Sequence, residues 1–118
     1  MVTVLYVEDD SLTLRSTIPL FELKGHKVRG AENGEKGLEA LAEEETVDII
    51  FTDFQMPVMN GYDFCKAVKN DPKYAKHSRV PIVGVGAFPH DKREHLVECM
   101  PKPFFLSYLF TCIDKYCK

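Results

Sequence analysis

The strongest constraint on the fold is an alternation of short apolar runs with longer amphipathic stretches along the chain. The apolar runs are rich in β-branched residues, which is typical of strands that are covered on both faces. They lie at 2–7, 27–31, 47–52 and 79–85, and a further short strand is expected just before Pro101. Strands that alternate with helices in this way predict an α/β fold, with a parallel sheet between two layers of helices.

The first helical stretch begins at Ser11 and carries Leu14, Ile18 and Phe21 on one face. Gly25 follows at a position where helices commonly stop. Pro19 lies inside the stretch, and it is expected to kink the helix or to break its hydrogen bonding locally.

The later helices have weaker boundaries. A turn at 33–34 precedes a helix, a third helix closes near Pro72, and a short helix is expected from 91 to about 98. The apolar faces of the second and third helices are predicted to be Leu38, Leu41 and Ala42, and Phe64, Cys65 and Val68. The clearest helical stripe comes last and consists of Phe105, Leu109, Cys112, Ile113 and Tyr116.

Composition narrows the class of protein. A length of 118 residues suits one core, so 1–118 is interpreted as a single domain. The net charge of −3 argues against direct binding to nucleic acid. No apolar run approaches the roughly 20 residues that span a bilayer, and the start of the chain does not resemble a secretion signal. We therefore expect a cytoplasmic location and no membrane partner.

The cysteines and histidines show no metal-binding or disulfide pattern. Cys65 and Cys112 fall on apolar helical positions, where a thiol behaves as a small hydrophobic group. His90 and His95 lack the helical spacing of a two-histidine metal site, so neither is assigned a role.

Acidic residues follow two of the predicted strands. The segment 8–10 follows the first strand, and Asp53 follows the strand at 47–52. If these strands are neighbours, at least three carboxylates converge at one edge of the sheet. Two carboxylates 4 Å apart repel by roughly 4 kcal/mol at an effective dielectric of 20, and a hard cation such as Mg²⁺ would offset that cost. Asp10 also suits a helix cap, because it directly precedes Ser11.

Lys102 is a third candidate for this edge. It lies between Pro101 and Pro103, just after the expected fifth strand. The proline rings restrict the backbone on either side. An ordinary solvated lysine is the alternative, although a Pro-Lys-Pro frame is unusual for one.

Three segments in order resemble the response regulator receiver domains (CheY-like) of two-component signalling systems. They are 4–10, 52–61 and 102–104, and the middle one matches the pattern D-x-x-M-P-x-M-[DN]-G throughout. The resemblance extends over nearly the whole chain. It implies a flavodoxin-like (βα)5 three-layer sandwich with a five-stranded parallel sheet in the order 2-1-3-4-5.

The resemblance also implies a role for each matching residue. Asp53 would accept a phosphoryl group from a sensor histidine kinase or a phosphotransfer protein. Asp9, Asp53 and the backbone carbonyl of Gln55 would bind Mg²⁺, for which Mn²⁺ could substitute, and Glu8 would act through a bound water. Lys102 would pair with the phosphoryl oxygens. The chain would be a signalling domain rather than an enzyme, would assist its own phosphorylation and dephosphorylation, and would act on a downstream protein partner.

Two positions depart from the family pattern and predict atypical switching. Gly86 stands where the family has Thr or Ser, and Cys99 stands where it has an aromatic residue. The missing hydroxyl would remove a hydrogen bond to a charged group, worth roughly 1.5–3 kcal/mol. Gly86→Thr is therefore expected to lengthen the life of the phosphorylated state. Only 16 positions separate Gly86 from Lys102, which predicts a shortened fourth helix and fifth strand.

Other functions stay open on the sequence alone. A phosphate-independent pseudo-receiver, acting as a protein-interaction module, is favoured by Gly86, Cys99 and the shortened segment. A Mg²⁺-dependent phosphatase with an aspartyl nucleophile would usually have a second acid where Gln55 stands. A DNA-binding role would use a basic stretch whose helical face Pro72 interrupts, and which consists of Lys66, Lys69, Lys73, Lys76 and Arg79.

Overall fold

Five short strands form one parallel sheet in a computed structural model that describes residues 1–117. The order is β2-β1-β3-β4-β5, as the resemblance implies. The strands are β1 (Thr3–Val7), β2 (Lys27–Ala31), β3 (Ile49–Thr52), β4 (Ile82–Val85) and β5 (Glu98–Met100). The predicted strand at 79–85 begins three residues later than expected, because Pro81 has no N–H for a central ladder.

Within the described residues, four α-helices cover the two faces of the sheet. They are α1 (Ser11–Leu23), α2 (Gly34–Glu43), α3 (Gly61–Asn70) and α4 (Ser107–Tyr116). Leu5 and Val7 of β1 face the core cluster that contains α2 and α3, whereas Val4 and Tyr6 face the cluster that contains α1 and α4. This alternation along one strand makes the three-layer sandwich.

Aromatic packing fills the core between the sheet and α1. The rings of Tyr6, Phe21 and Phe51 have centroids 5.9 to 6.2 Å apart, and all three side chains are buried. Fully burying one such side chain contributes about 1.5–3 kcal/mol. This cluster therefore fixes α1 against the centre of the sheet.

α1 begins and ends as the sequence predicts. Asp10 caps it, because its Oδ1 accepts hydrogen bonds from the N–H groups of Leu12 and Thr13 at 3.0 and 3.3 Å. Gly25 lies just beyond the helix with a φ of +87°, a conformation that glycine adopts easily. The helix continues through Pro19 without being divided into two.

Two details of α2 differ from the prediction. Asn33 is a helix cap rather than part of a turn, because its Oδ1 accepts from the N–H of Lys36 at 2.8 Å and Gly34 already belongs to the helix. Ala42 is exposed, and Ala40 takes its place on the buried face beside the predicted leucines.

The helix predicted from 91 to about 98 is absent from the described chain. A single 3₁₀ turn at His90–Lys92 stands there, and Glu98 already pairs with Val83 in the sheet. The guanidinium of Arg93 donates twice to the carbonyl of Phe88, at 3.0 and 2.8 Å. These bonds hold the short connection as a loop. The sequence predicted a shortened helix between β4 and β5, and in the described chain that helix is replaced by the loop.

α4 carries most of its predicted stripe. Leu109, Cys112 and Ile113 are buried, whereas Phe105 precedes the helix and is 76% exposed. All four cysteines are free thiols. Cys65 and Cys112 are buried as expected, and burial raises the pKa of Cys65 to about 12 and that of Cys112 to about 11. None of the described helices has the length and apolar character needed to cross a bilayer.

Candidate functional site

The carboxyl ends of β1 and β3 lie side by side and bring three acids together. The two strands are paired, and the N–H of Asp53 donates to the carbonyl of Val7 at 3.0 Å. One carboxylate oxygen from each of Glu8, Asp9 and Asp53 lies within 4.8 Å of the others. The convergence expected from the sequence is therefore present, and Asp10 stands beside it as a helix cap.

An open cleft of about 420 Å³ lies over this group of acids. It is lined by residues that follow the ends of β1, β3, β4 and β5, namely Asp9, Asp53, Phe54, Gln55, Gly86, Ala87 and Lys102. The cleft brings Gln55 and Lys102 to the same region as the acids, although they are far apart in the sequence.

Glu8 is the buried member of the three acids. Its side chain is 1% exposed, its Oε1 lies 2.6 Å from Nζ of Lys102, and its Oε2 accepts from the N–H of Asp10 at 3.3 Å. Burial raises the pKa of Glu8, and the hydrogen bond from Lys102 opposes that rise. Glu8 therefore contacts the lysine directly in this structure.

Lys102 bridges two of the carboxylates. Its Nζ also donates to Oδ2 of Asp53 at 3.1 Å. Burial by itself lowers the pKa of Lys102, but the bonds to Glu8 and Asp53 outweigh it and raise the pKa overall. The ammonium stays charged and neutralises part of the acidic group, which a buried carboxylate requires.

Asp53 presents its carboxylate to the cleft with both oxygens already positioned. Oδ2 faces Lys102, and Oδ1 accepts from the N–H of Phe54 at 2.8 Å. The side chain is 14% exposed. Incoming groups therefore reach this carboxylate mainly through the cleft.

Gly86 lies against that carboxylate. It has a φ of +115°, and a Cβ added to it would stand 2.5 Å from Oδ1 of Asp53. A threonine here would be strained by the backbone, and its Cβ would displace the Asp53 carboxylate from its present position. The expectation that Gly86→Thr lengthens the life of the phosphorylated state stays a prediction, and it now carries this cost.

The two atypical positions contact each other. The thiol of Cys99 donates to the carbonyl of Gly86 at 3.5 Å, and the N–H of Gly86 donates to the carbonyl of Met100 at 2.8 Å. The sequence indicated that a hydroxyl at position 86 and an aromatic ring at position 99 are missing independently. In the structure, hydrogen bonds of the Gly86 main chain connect the two positions.

The loop after β3 contains one residue that sequence reasoning did not single out. Val58 has a φ of +72°, which is a rare conformation for a β-branched residue, and it is 75% exposed. Gly61 has a clear structural role here, because an added Cβ would overlap the carbonyl of Asp53. Only the family pattern in the sequence pointed to Gly61.

The three acids suit a hard divalent cation. All the side-chain donors are carboxylate oxygens, and Mg²⁺ prefers one or two carboxylates together with phosphate and water oxygens. His90 and His95 are not part of this group. The residues present therefore fit Mg²⁺ by their chemistry.

The basic stretch at 66–79 is not a free row of cations. Nζ of Lys69 donates to the carbonyls of Ser78 and Val80 at 2.9 and 2.7 Å, and burial lowers its pKa. Lys69 therefore fixes the connection between α3 and β4. This contact weakens the DNA-binding alternative.

Comparisons with known proteins agree with this geometry. A family model described as "Response regulator receiver domain" matches residues 4–109. The chain is 33% identical over 95 residues to the gliding motility regulatory protein of Myxococcus xanthus, an alignment that includes 79% of the chain and 12% of that protein. It is 32% identical over 118 residues to hybrid signal transduction histidine kinase A of Dictyostelium discoideum, an alignment that includes 95% of the chain and 6% of that protein.

The fold is also similar to solved structures. The chemotaxis protein CheY4 of Vibrio cholerae superposes with a TM-score of 0.83 at 24% identity, over 98% of each chain. This likeness concerns the arrangement of strands and helices.

Proposed function

Because the chain belongs to the response regulator receiver family of two-component signalling, we propose that Asp53 is a phosphoacceptor. The phosphoryl group would come from a phosphohistidine of a sensor histidine kinase or a phosphotransfer protein. The observation that carries this proposal is the placement of the Asp53 carboxylate, which faces an open cleft and contacts the ammonium of Lys102. Residues 1–118 would act as one signalling domain, without direct contact with nucleic acid or a membrane.

The transfer exchanges one bond for another. A carboxylate oxygen of Asp53 forms a bond to phosphorus, the P–N bond to the imidazole breaks, and its electron pair stays on the ring nitrogen. Such a transfer depends on positioning and on neutralising the oxygens of the phosphoryl group. The Phe54 N–H and the Lys102 ammonium hold the two oxygens of Asp53, so the nucleophile is oriented before the donor arrives.

Mg²⁺ would be held by Asp9, Asp53 and the Gln55 carbonyl, with Glu8 acting through a water. When bound, it supplies positive charge to the phosphoryl oxygens. Lys102 would contribute a second positive charge, because its ammonium lies within bonding distance of both Glu8 and Asp53. The switching that follows would be atypical, since Gly86 offers no hydroxyl and Cys99 offers no aromatic ring.

The test is chemical phosphorylation of the intact chain. Incubation with Mg²⁺ and acetyl phosphate should add one phosphoryl group by intact mass, and peptide mapping should locate it at Asp53. Asp53→Asn is the matched control, because it preserves size and removes the charged nucleophile. An unmodified chain, under conditions that fully label a standard receiver domain, would contradict the proposal.

A phosphate-independent interaction module is the second candidate. It is favoured by Gly86 and Cys99, which bond to each other where the family has a hydroxyl and an aromatic residue, and by the connection from β4 to β5, which has no α-helix in the described chain. A Mg²⁺ titration followed by NMR separates the two candidates. Millimolar Mg²⁺ should shift the resonances of Asp9 and Gln55 in a working receiver, and it should leave them unchanged in a module that never needs phosphate.

A further inference from the structure

We propose that the Gly86–Ala87 peptide reports the state of Asp53 to Cys99 through a backbone hydrogen bond. In this chain that bond would replace a side-chain hydroxyl and an aromatic ring as the switch. The inference rests on the proposed function, because it requires a group to be added to Asp53. Its two ends are the contact of Gly86 with Asp53 and the thiol bond of Cys99 to the same glycine.

The first step is steric. The space that a side chain of residue 86 would fill is occupied by Oδ1 of Asp53, which lies 2.5 Å from the position of an added Cβ. Gly86 itself is buried. A phosphoryl group on Asp53 brings a phosphorus and three oxygens to this wall. A group added on this side of Asp53 therefore meets the main chain of Gly86 directly, because Gly86 has no side chain of its own that could move aside.

The second step is an asymmetry in how Gly86 is held. Its N–H is anchored to the carbonyl of Met100 at 2.8 Å. Among the described residues, its carbonyl accepts a three-residue turn bond from the Phe88 N–H at 3.1 Å and the thiol bond from Cys99 at 3.5 Å. A thiol is a weak donor, and glycine rotates freely about its backbone bonds. The carbonyl side of Gly86 can therefore turn while its N–H stays fixed.

The third step is electrostatic. The Gly86 carbonyl and the Ala87 N–H belong to one planar peptide, so they turn together. Added negative charge on Asp53 attracts an N–H and repels a carbonyl oxygen. Turning the peptide in this direction moves the carbonyl away from its present partners. The thiol of Cys99 then loses its acceptor.

Cys99 is well placed to pass this change on. It lies in β5 between Glu98 and Met100. Met100 packs in the same core cluster as Leu109 of α4, and Glu98 accepts a hydrogen bond from the hydroxyl of Tyr116 at 2.7 Å. Glu98 therefore contacts α4 directly, and Met100 belongs to the core cluster in which α4 packs. A change at the thiol has a short path to that helix through the residues on either side of Cys99.

The experiment uses the whole chain with cysteines labelled by ¹³C at Cβ. Mg²⁺ and beryllium fluoride form a phosphoryl-like adduct on a carboxylate, and ¹⁹F NMR shows whether it is bound. With the adduct bound, the Cys99 resonance should shift, and alkylation of Cys99 by iodoacetamide should become several-fold faster. Cys117 is the internal control, because its thiol also donates to a carbonyl, that of Asp48 at 3.6 Å.

Two variants test the connection to α4. Cys99→Ser keeps a hydrogen-bond donor, whereas Cys99→Ala removes it. The shift that the adduct causes at the Leu109 amide should persist in the serine variant and shrink several-fold in the alanine variant. A bound adduct with an unchanged Cys99 resonance overturns this inference and leaves the proposed function standing. Absence of both adduct and phosphorylation overturns the proposed function, and this inference with it.

Discussion

The main chain of Gly86 lies directly against the carboxylate of Asp53, with room for no side chain between them. The distance from an added Cβ to Oδ1 would be 2.5 Å. The end of β4 therefore forms one wall of the acidic cleft. The wall consists of main-chain atoms, and their hydrogen-bonding chemistry differs from that of a side-chain hydroxyl.

Gly86→Ala should destabilise the protein and slow its phosphorylation. The positive φ alone costs on the order of 1–3 kcal/mol, and the new Cβ also displaces Asp53. Gly25→Ala is the matched control, because Gly25 has a φ of +87° with nothing within 4 Å of an added Cβ. Urea unfolding and acetyl phosphate labelling measure the two effects. Equal results for the two variants would show that the contact with Asp53 is unimportant.

Lys102→Ala should make the stability of the protein depend more strongly on Mg²⁺. Removing the ammonium leaves the buried carboxylate of Glu8 without its partner, which costs about 1–3 kcal/mol. A bound cation would offset this loss, so added Mg²⁺ should raise the unfolding midpoint more in the variant than in the wild type. Lys66→Ala, a change at an exposed position, is the control. A Mg²⁺ response equal to that of the wild type would contradict the bridging role.

Glu98→Gln should make the free energy of unfolding fall less steeply as the pH is lowered. The hydroxyl of Tyr116, and then Lys115, lower the pKa of Glu98 below its ordinary value of 4.5. A carboxyl with a lowered folded-state pKa stabilises the protein above that ordinary value and loses this contribution as the pH falls through the lowered pKa. Urea unfolding at about pH 3 to 6 measures how steeply the free energy of unfolding falls as the pH is lowered. Tyr116→Phe should reduce the same slope, and unchanged slopes in both variants would exclude this contribution.

Val58→Asn should stabilise the protein by about 1 kcal/mol. Val58 has a φ of +72°, which asparagine tolerates better than a β-branched residue, and little burial is lost because the side chain is 75% exposed. The urea midpoint measures the gain. Val97→Asn, at a 48% exposed valine without a positive φ, should give none. A destabilised Val58→Asn variant would mean that the exposed valine makes contacts that outweigh its strain.

The strands could be predicted because their signal is local. Runs of β-branched residues identified β1 and β2 closely, but the predicted start of β4 at residue 79 overlooked Pro81, which has no N–H for a central ladder. The missing helix near 91–98 shows a limit of such local signals. Arg93 bonds to the carbonyl of Phe88 and fixes a loop, a choice that no periodicity in the segment could indicate.

The sequence predicted which residues form the site, but it did not predict how they contact one another. Acids after two strands indicated Glu8, Asp9 and Asp53, because parallel neighbours end at one edge. The pairing of Lys102 with Glu8 joins positions far apart in the chain, and the fit of Gly86 against Asp53 depends on distances of a few tenths of an ångström. The sequence shows that residue 86 lacks a hydroxyl. The structure shows that the Asp53 carboxylate occupies the space where a side chain of residue 86 would begin.

The connection from β4 to β5 has one further consequence. It consists of residues 86–97, holds no α-helix, and is tied across itself by Arg93 and Phe88. A long helical connection can absorb a displacement by sliding or tilting. This one has no α-helix that could move as a unit, so any rearrangement between the cleft wall and the last strand has to take place in the backbone of the loop itself.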